Sequence, residues 1–124
     1  MSEERLTFKE MCARFDVTPR TLRYYEYIEL LFPEKEGRSR FYHSSEMARM
    51  TLILRGRRWG FSLEEIRQWL EMYEKEGTES QYREFLRLAD RQLEALAKER
   101  LQLEETISDL QKMRNGVSVD LSKA

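Results

Sequence analysis

Arginine carries most of the chemical potential in this sequence. Six arginines lie between residues 38 and 58 (Arg38, Arg40, Arg49, Arg55, Arg57 and Arg58), and Glu46 is the only acid among them. A guanidinium offers a fixed charge and a planar fork of donors, which suits phosphate. A second group lies upstream, in Thr18-Pro19-Arg20-Thr21-Leu22-Arg23-Tyr24. Its guanidinium, hydroxyl and phenol groups can reach both backbone phosphates and base edges. The plainer alternative is a set of solvated arginines on scattered faces.

The chain has 124 residues, with 22 Lys and Arg against 23 Asp and Glu, for a formal charge of −1. That balance is uneven along the chain. Residues 1–62 hold 12 basic and 9 acidic side chains, and residues 63–124 hold 10 and 14. A near-neutral protein can therefore present a basic face. Catalysis is disfavoured, because one His (His43) and one Cys (Cys12) exclude a two-His or multi-Cys metal site within one chain. No glycine-rich phosphate loop or nucleophile-elbow sequence is present. No stretch approaches the roughly 20 apolar residues of a membrane span, and MSEERLTFKE lacks a signal-peptide core. These features predict a cytoplasmic, mainly α protein of about one domain plus an extended element, with no cofactor and no metal.

The elements that must position the arginines follow from caps and periodicity. Thr7-Phe8-Lys9-Glu10 is a capping box, and Phe8, Met11, Cys12 and Phe15 form one apolar helical face. Thr18 as N-cap with Pro19 in the first turn starts a second short helix to about Ile28. Leu22 turns inward there, while Tyr25 can be core or surface. Two short helices with a tight connection make a helix-turn-helix candidate. A small hairpin wing fits between Leu31 and Tyr42. Ser44 or Ser45 caps a third helix whose apolar side holds Met47, Met50, Leu52, Ile53 and Leu54. Ser62-Leu63-Glu64-Glu65 caps a fourth, expected to bury Leu63, Ile66, Trp69 or Leu70, and Tyr73, and to stop at Gly77. From Ser80 to Arg114 there is neither Pro nor Gly, enough for a helix of roughly 52 Å. Leu86, Ala89, Leu93, Leu96, Leu103, Ile107 and Leu110 recur in steps of three and four, interrupted only by Arg100. That heptad pattern predicts a coiled coil with a second chain. Asn115-Gly116 is expected to end it.

The run Thr18-Pro19-Arg20-Thr21-Leu22-Arg23-Tyr24-Tyr25-Glu26 resembles the recognition-helix signature of the MerR family of bacterial transcription regulators. Arg40-Phe41-Tyr42 is similar to the Arg-x-Tyr of the family's first wing. Residues 55–61 and the following Ser62-Leu63-Glu64-Glu65-Ile66 match its third helix and second wing. The resemblance covers about 115 of the 124 residues in the family's order. It implies a winged helix-turn-helix with a small β-hairpin wing at 1–77, an antiparallel coiled-coil dimerisation helix at 78–115, and a flexible tail at 116–124.

The resemblance also implies site residues. Thr18, Arg20, Thr21, Arg23 and Tyr24 would contact DNA from the second helix. Arg38, Arg40 and Tyr42 would do so from the first wing, and Arg57 and Arg58 from the second. The heptad spacing, for its part, makes Leu86, Ala89, Leu93, Leu96, Arg100, Leu103, Ile107 and Leu110 the expected dimer seam, with Arg100 fixing its register. Ser39 departs from the tyrosine often found before the wing arginine. The implied partners are promoter double-stranded DNA, a second copy of the chain, and RNA polymerase through the shared promoter; no membrane is implied. The implied act is to bend and untwist a promoter spacer at a pseudo-palindromic site. Cys12, on an apolar face, reads as core rather than sensor. Met72, Tyr73, Tyr82, Phe85 and Trp69 could line an effector pocket, although aromatics at helical spacing more often form core. Two other functions stay open: an architectural or excisionase-like winged-helix DNA binder without a direct role in transcription, and a coiled-coil adaptor.

Overall fold

A computed structural model describes residues 4–124. The element order is β1 (Leu6–Thr7), α1 (Phe8–Phe15), α2 (Pro19–Tyr27), β2 (Glu34–Glu36), β3 (Ser39–Tyr42), α3 (Ser44–Trp59), α4 (Leu63–Glu74) and α5 (Glu79–Lys123). The described residues form two compact units, 4–81 and 82–124.

In the first unit the caps fall mostly where the sequence puts them. Thr7 Oγ1 accepts from the Glu10 N–H at 3.2 Å, and the Glu10 carboxylate accepts from the Thr7 N–H at 2.9 Å. This reciprocal bonding satisfies two donors that an open helix end would leave unpaired. It also holds the Glu10 carboxyl below the usual carboxylate range, the Thr7 backbone N–H being the main cause. Asp16, in the left-handed region at φ 52°, closes α1, and Thr18 then caps α2. Ser62 and Glu65 repeat the box at α4.

Three details differ from expectation. The wing is not a lone hairpin: β1 pairs with β3, giving the order β1-β3-β2 with Leu6 opposite Tyr42 and Glu34 opposite Phe41. A strand of two residues is too short to show alternation. His43, not Ser44 or Ser45, is the N-cap of α3, and its side chain makes no cap bond. α4 ends at Glu74, ahead of Gly77, and Tyr73 is left 64% exposed.

The core of this unit collects Leu6, Met11, Leu22, Tyr25, Leu30, Leu31, Tyr42, Met50, Leu52, Ile53, Phe61, Ile66, Trp69 and Leu70. Each large side chain fully buried there stabilises the unit by roughly 1.5–3 kcal/mol. The α3–α4 crossing is tight at Gly56, where an added Cβ would lie 2.8 Å from Ile66 Cγ1. Gly60, at φ 92°, then turns the chain between α3 and α4. What was expected as a second wing is thus the last turn of α3 and this glycine corner.

The second unit is the body of α5. Thr78 and Gln81 cap its start reciprocally at 2.8 and 3.2 Å. The helix continues through Asn115 and Gly116 to Lys123, where a loose tail was expected. An isolated glycine costs a helix about 1 kcal/mol relative to alanine, and no proline follows to force an end. Leu86, Leu93, Leu96, Leu103, Ile107 and Leu110 are exposed, and Ala89 is half-buried. Leu88, outside the expected seam, is the buried residue of α5. No helix among the described residues is long and apolar enough to cross a membrane.

Candidate nucleic-acid interface

α2 has two distinct faces. Leu22 and Tyr25 are buried, which settles Tyr25 as core. Arg20, Arg23, Tyr24 and Tyr27 face outward. Thr18 is committed to the cap: its Oγ1 accepts from the Thr21 N–H at 3.1 Å, and its hydroxyl donates to Thr21 Oγ1 at 2.9 Å. Outside α2, Arg57 and Leu63 complete a concave surface with Arg20, Thr21, Arg23, Tyr24, Tyr25 and Tyr27. The α3–α4 corner therefore brings Arg57 beside the second helix, although the two are distant in sequence.

The wing joins α2 through a different set of contacts. Arg40 Nε lies 2.8 Å from Glu26 Oε1. The Tyr42 hydroxyl donates to the other carboxylate oxygen of the same residue. Tyr42 has no exposed surface. Burial, then the Glu26 hydrogen bond and charge, push its phenol far above its ordinary range. Tyr42 was expected at the DNA; its hydroxyl points into the fold instead and holds the glutamate that holds Arg40. The Phe8 ring lies between Arg23 at 5.3 Å and Arg40 at 5.8 Å, linking α1 to both.

The arginines divide by partner. Arg20, Arg23, Arg38, Arg55, Arg57 and Arg58 are exposed and form no ion pair among the described residues. Arg57 and Arg58 also sit in the last turn of α3, where the helix dipole favours cations. Others are structural. Arg49 pairs with Glu74 and donates to the Leu30 carbonyl. Arg67 donates to the carbonyls of Ile28 and Glu29 and so closes the end of α2. Sequence reasoning gave no role to Arg67, nor to Arg5, which lies 3.8 Å over the Phe41 ring and pairs with Glu36 at 3.2 Å. Nothing local in the sequence signals either set of contacts, since Arg5 meets residues 31 and 36 positions away and Arg67 meets residues 38 and 39 positions away.

Arg38 follows the Gly37 turn at the wing tip. His43 bonds Glu34 across the wing and holds that carboxyl low. Cys12 is half-buried, and burial raises its thiol. No cluster of metal-ligating side chains occurs among the described residues. Arg100 lies 4.0 Å from Glu104 one turn along the same helix.

Comparisons with known proteins converge on one family. The family model described as "MerR HTH family regulatory protein" matches residues 6–73, and that described as "MerR, DNA binding" matches residues 47–115. The HTH-type transcriptional regulator HmrR of Rhizobium leguminosarum is 39% identical over 66 residues, covering 52% of this chain and 51% of that protein. The chain thus spans about half of that relative's length. A MerR-family transcriptional regulator from Bacillus cereus, known from its crystal structure, is 30% identical with a TM-score of 0.68, covering 89% of this chain and 80% of that one. HiNmlR, described as a MerR family regulator lacking the sensor domain and bound to promoter DNA, shares the fold at a TM-score of 0.65 and 18% identity, over 85% and 80% of the two chains.

Proposed function

Since the chain belongs to the MerR family of transcriptional regulators and carries its DNA-binding domain, we propose that it binds promoter DNA as a homodimer. α2 enters the major groove, with Arg20 and Arg23 reaching base edges or the phosphates beside them. Arg57 and Arg58 hold the flanking backbone on one side, and Arg38 at the wing tip holds it on the other, positioned by the Arg40–Glu26 pair. The exposed apolar row of α5, from Leu86 to Leu110, pairs with the same row of a second chain through an antiparallel coiled coil. Two-fold symmetry then calls for a pseudo-palindromic site. Bending and untwisting the spacer between promoter elements would cost a few kcal/mol, offset by contacts from both halves. RNA polymerase would engage the reshaped promoter, and the cytoplasm is where that would occur.

The observation that carries this reading is the concentration of unpaired, exposed arginines on α2, the wing tip and the end of α3. Arginines elsewhere in the first unit are paired to acids or to backbone carbonyls. An exposed guanidinium cluster without acid partners is well placed to neutralise phosphates and release counterions from DNA.

A footprint of the purified protein on the DNA just upstream of its own gene, with a salt series, tests it. With about four phosphates contacted per protomer, log K falls against log salt with a slope near −7. Arg23→Ala should weaken binding by about 1–3 kcal/mol per half-site. Protection of an inverted repeat between the promoter elements is the expected result. A localised footprint away from those elements would favour an architectural DNA binder instead, and no protection at any salt would overturn the reading.

A further inference from the structure

Tyr27 is the most exposed aromatic side chain of the first unit, at 83%. It is not stranded on a featureless surface. It lies in the last turn of α2, one helical turn beyond Tyr24, and lines the same concavity as Arg20, Arg23, Tyr24 and Arg57. Its ring makes no stacking contact and its hydroxyl no hydrogen bond among the described residues. A phenol held open in this way neither supports the core nor caps the helix.

Position decides what such a group can reach. Arg20 and Tyr27 are seven residues apart, about 10 Å along a helix axis. The major groove is about 12 Å wide. If the first turn of α2 meets base edges, its last turn lies toward a wall of the groove, where the backbone runs. Arg57 enters the concavity from the α3–α4 corner and adds a cation on that side. A phosphodiester suits this combination of one guanidinium and two phenol hydroxyls.

We infer that Tyr27 is a DNA-binding residue that, with Tyr24 and Arg57, clamps one backbone phosphate at the C-terminal end of α2. The inference rests on the DNA-binding reading above and sharpens it. Tyr27 donates a neutral O–H to a charged oxygen, so it strengthens binding without displacing a counterion. Arg57 does both.

That difference supplies the test. The probe is a duplex of about 30 base pairs, close to three helical turns, selected by the protein from a random pool and titrated at several salt concentrations. Tyr27→Phe keeps the ring and touches no core residue, so its melting temperature should match the parent. Its affinity should fall about 10-fold to 100-fold per clamp, and so by about 100-fold or more for a dimer with two clamps, since each lost bond is one to a charged acceptor. The salt slope should stay unchanged. Arg57→Ala should lower affinity and also reduce the slope by about 1 per protomer. Parent-like binding by Tyr27→Phe beside weakened Arg57→Ala and Arg23→Ala would overturn the clamp and leave the DNA-binding reading standing. Parent-like binding by all three would overturn both.

Discussion

Tyr42→Phe separates a fold-building phenol from a DNA-contacting one. The hydroxyl is fully buried and donates to Glu26, whose other oxygen receives Arg40. Removing a hydrogen bond to a charged group costs about 1.5–3 kcal/mol, partly offset because the hydroxyl no longer has to be desolvated. At neutral pH the variant should therefore lose about 1–2 kcal/mol of stability. A second signature appears in alkali. A tyrosine in the unfolded chain ionises near pH 10, whereas burial and the Glu26 carboxylate keep this one protonated well above that. The folded pKa is raised, so its stabilising effect is complete below about pH 10 and is lost as pH rises toward the folded value. The unfolded state gains about 1.4 kcal/mol for each pH unit above 10. Between pH 9 and pH 11 the parent should lose about 1.4 kcal/mol more than Tyr42→Phe does. Urea unfolding at the two pH values reads both effects, and DNA titration of the folded variant should give nearly parent affinity. An unchanged stability and alkaline slope, together with a large loss of DNA affinity, would place the phenol at a phosphate and refute the account.

Three other perturbations test the frame that carries the site. Gly56→Ala places a methyl 2.8 Å from Ile66 Cγ1; overpacking of about 1–3 kcal/mol should exceed the helix gain of about 1 kcal/mol. In an Ile66→Ala background the same change should become stabilising, and a urea double-mutant cycle that shows no such reversal would deny the close crossing. Glu29 sits at φ 63°, so Glu29→Gly should stabilise by about 0.5–1 kcal/mol; a melting temperature at or below the parent's would argue against backbone strain there. Leu103→Asp puts a charge on the exposed apolar row of α5 and should convert a sedimenting dimer into monomer, while a dimer that persists would show that the row is not its seam.

Much of the frame is legible in the sequence because caps are local. Thr7 with Glu10, Ser62 with Glu65, and Thr18 before Pro19 each specify a helix start within four residues, and each start is realised. Leu22 is legible for the same reason, since its inward direction follows from helical spacing alone. The misses share a longer range. β1 acquires meaning only when Leu6 meets Tyr42, which is 36 residues away. The third helix has two serines at its start, yet the preceding His43 takes the cap position while its ring bonds the wing. Leu88 is buried although a three-and-four seam passes it by. Asn115-Gly116 is a stop signal only when surrounding structure uses it, and here the helix passes through. Tyr42 shows the limit most clearly. An aromatic two residues from an arginine has the same local signature whether its hydroxyl meets a phosphate or a buried glutamate.

The site itself was legible as a composition and illegible as a division of labour. Counting arginines from 38 to 58 treats six as equivalent, yet Arg49 spends its charge on Glu74 and a backbone carbonyl, and Arg40 lies against Glu26. What remains uncompensated there is Arg38, Arg55, Arg57 and Arg58, joined across the fold by Arg20 and Arg23. The paired arginines are not spare. Arg67 fastens the end of α2 through the Ile28 and Glu29 carbonyls, and Arg40 fastens the wing to its last turn through Glu26. α2 is thereby held at its C-terminal end by two cations while its outer face keeps its own cations free of ion pairs. A helix of nine residues is too short to be stable alone. Pinning it by charge from behind allows its exposed face to be chosen for DNA and not for helix stability. On this argument the acid in the last turn of α2, Glu26, belongs to the binding machinery even though a carboxylate would repel phosphate. Its charge is consumed by Arg40 and Tyr42, and in return the wing and α2 are held in one fixed relation to each other.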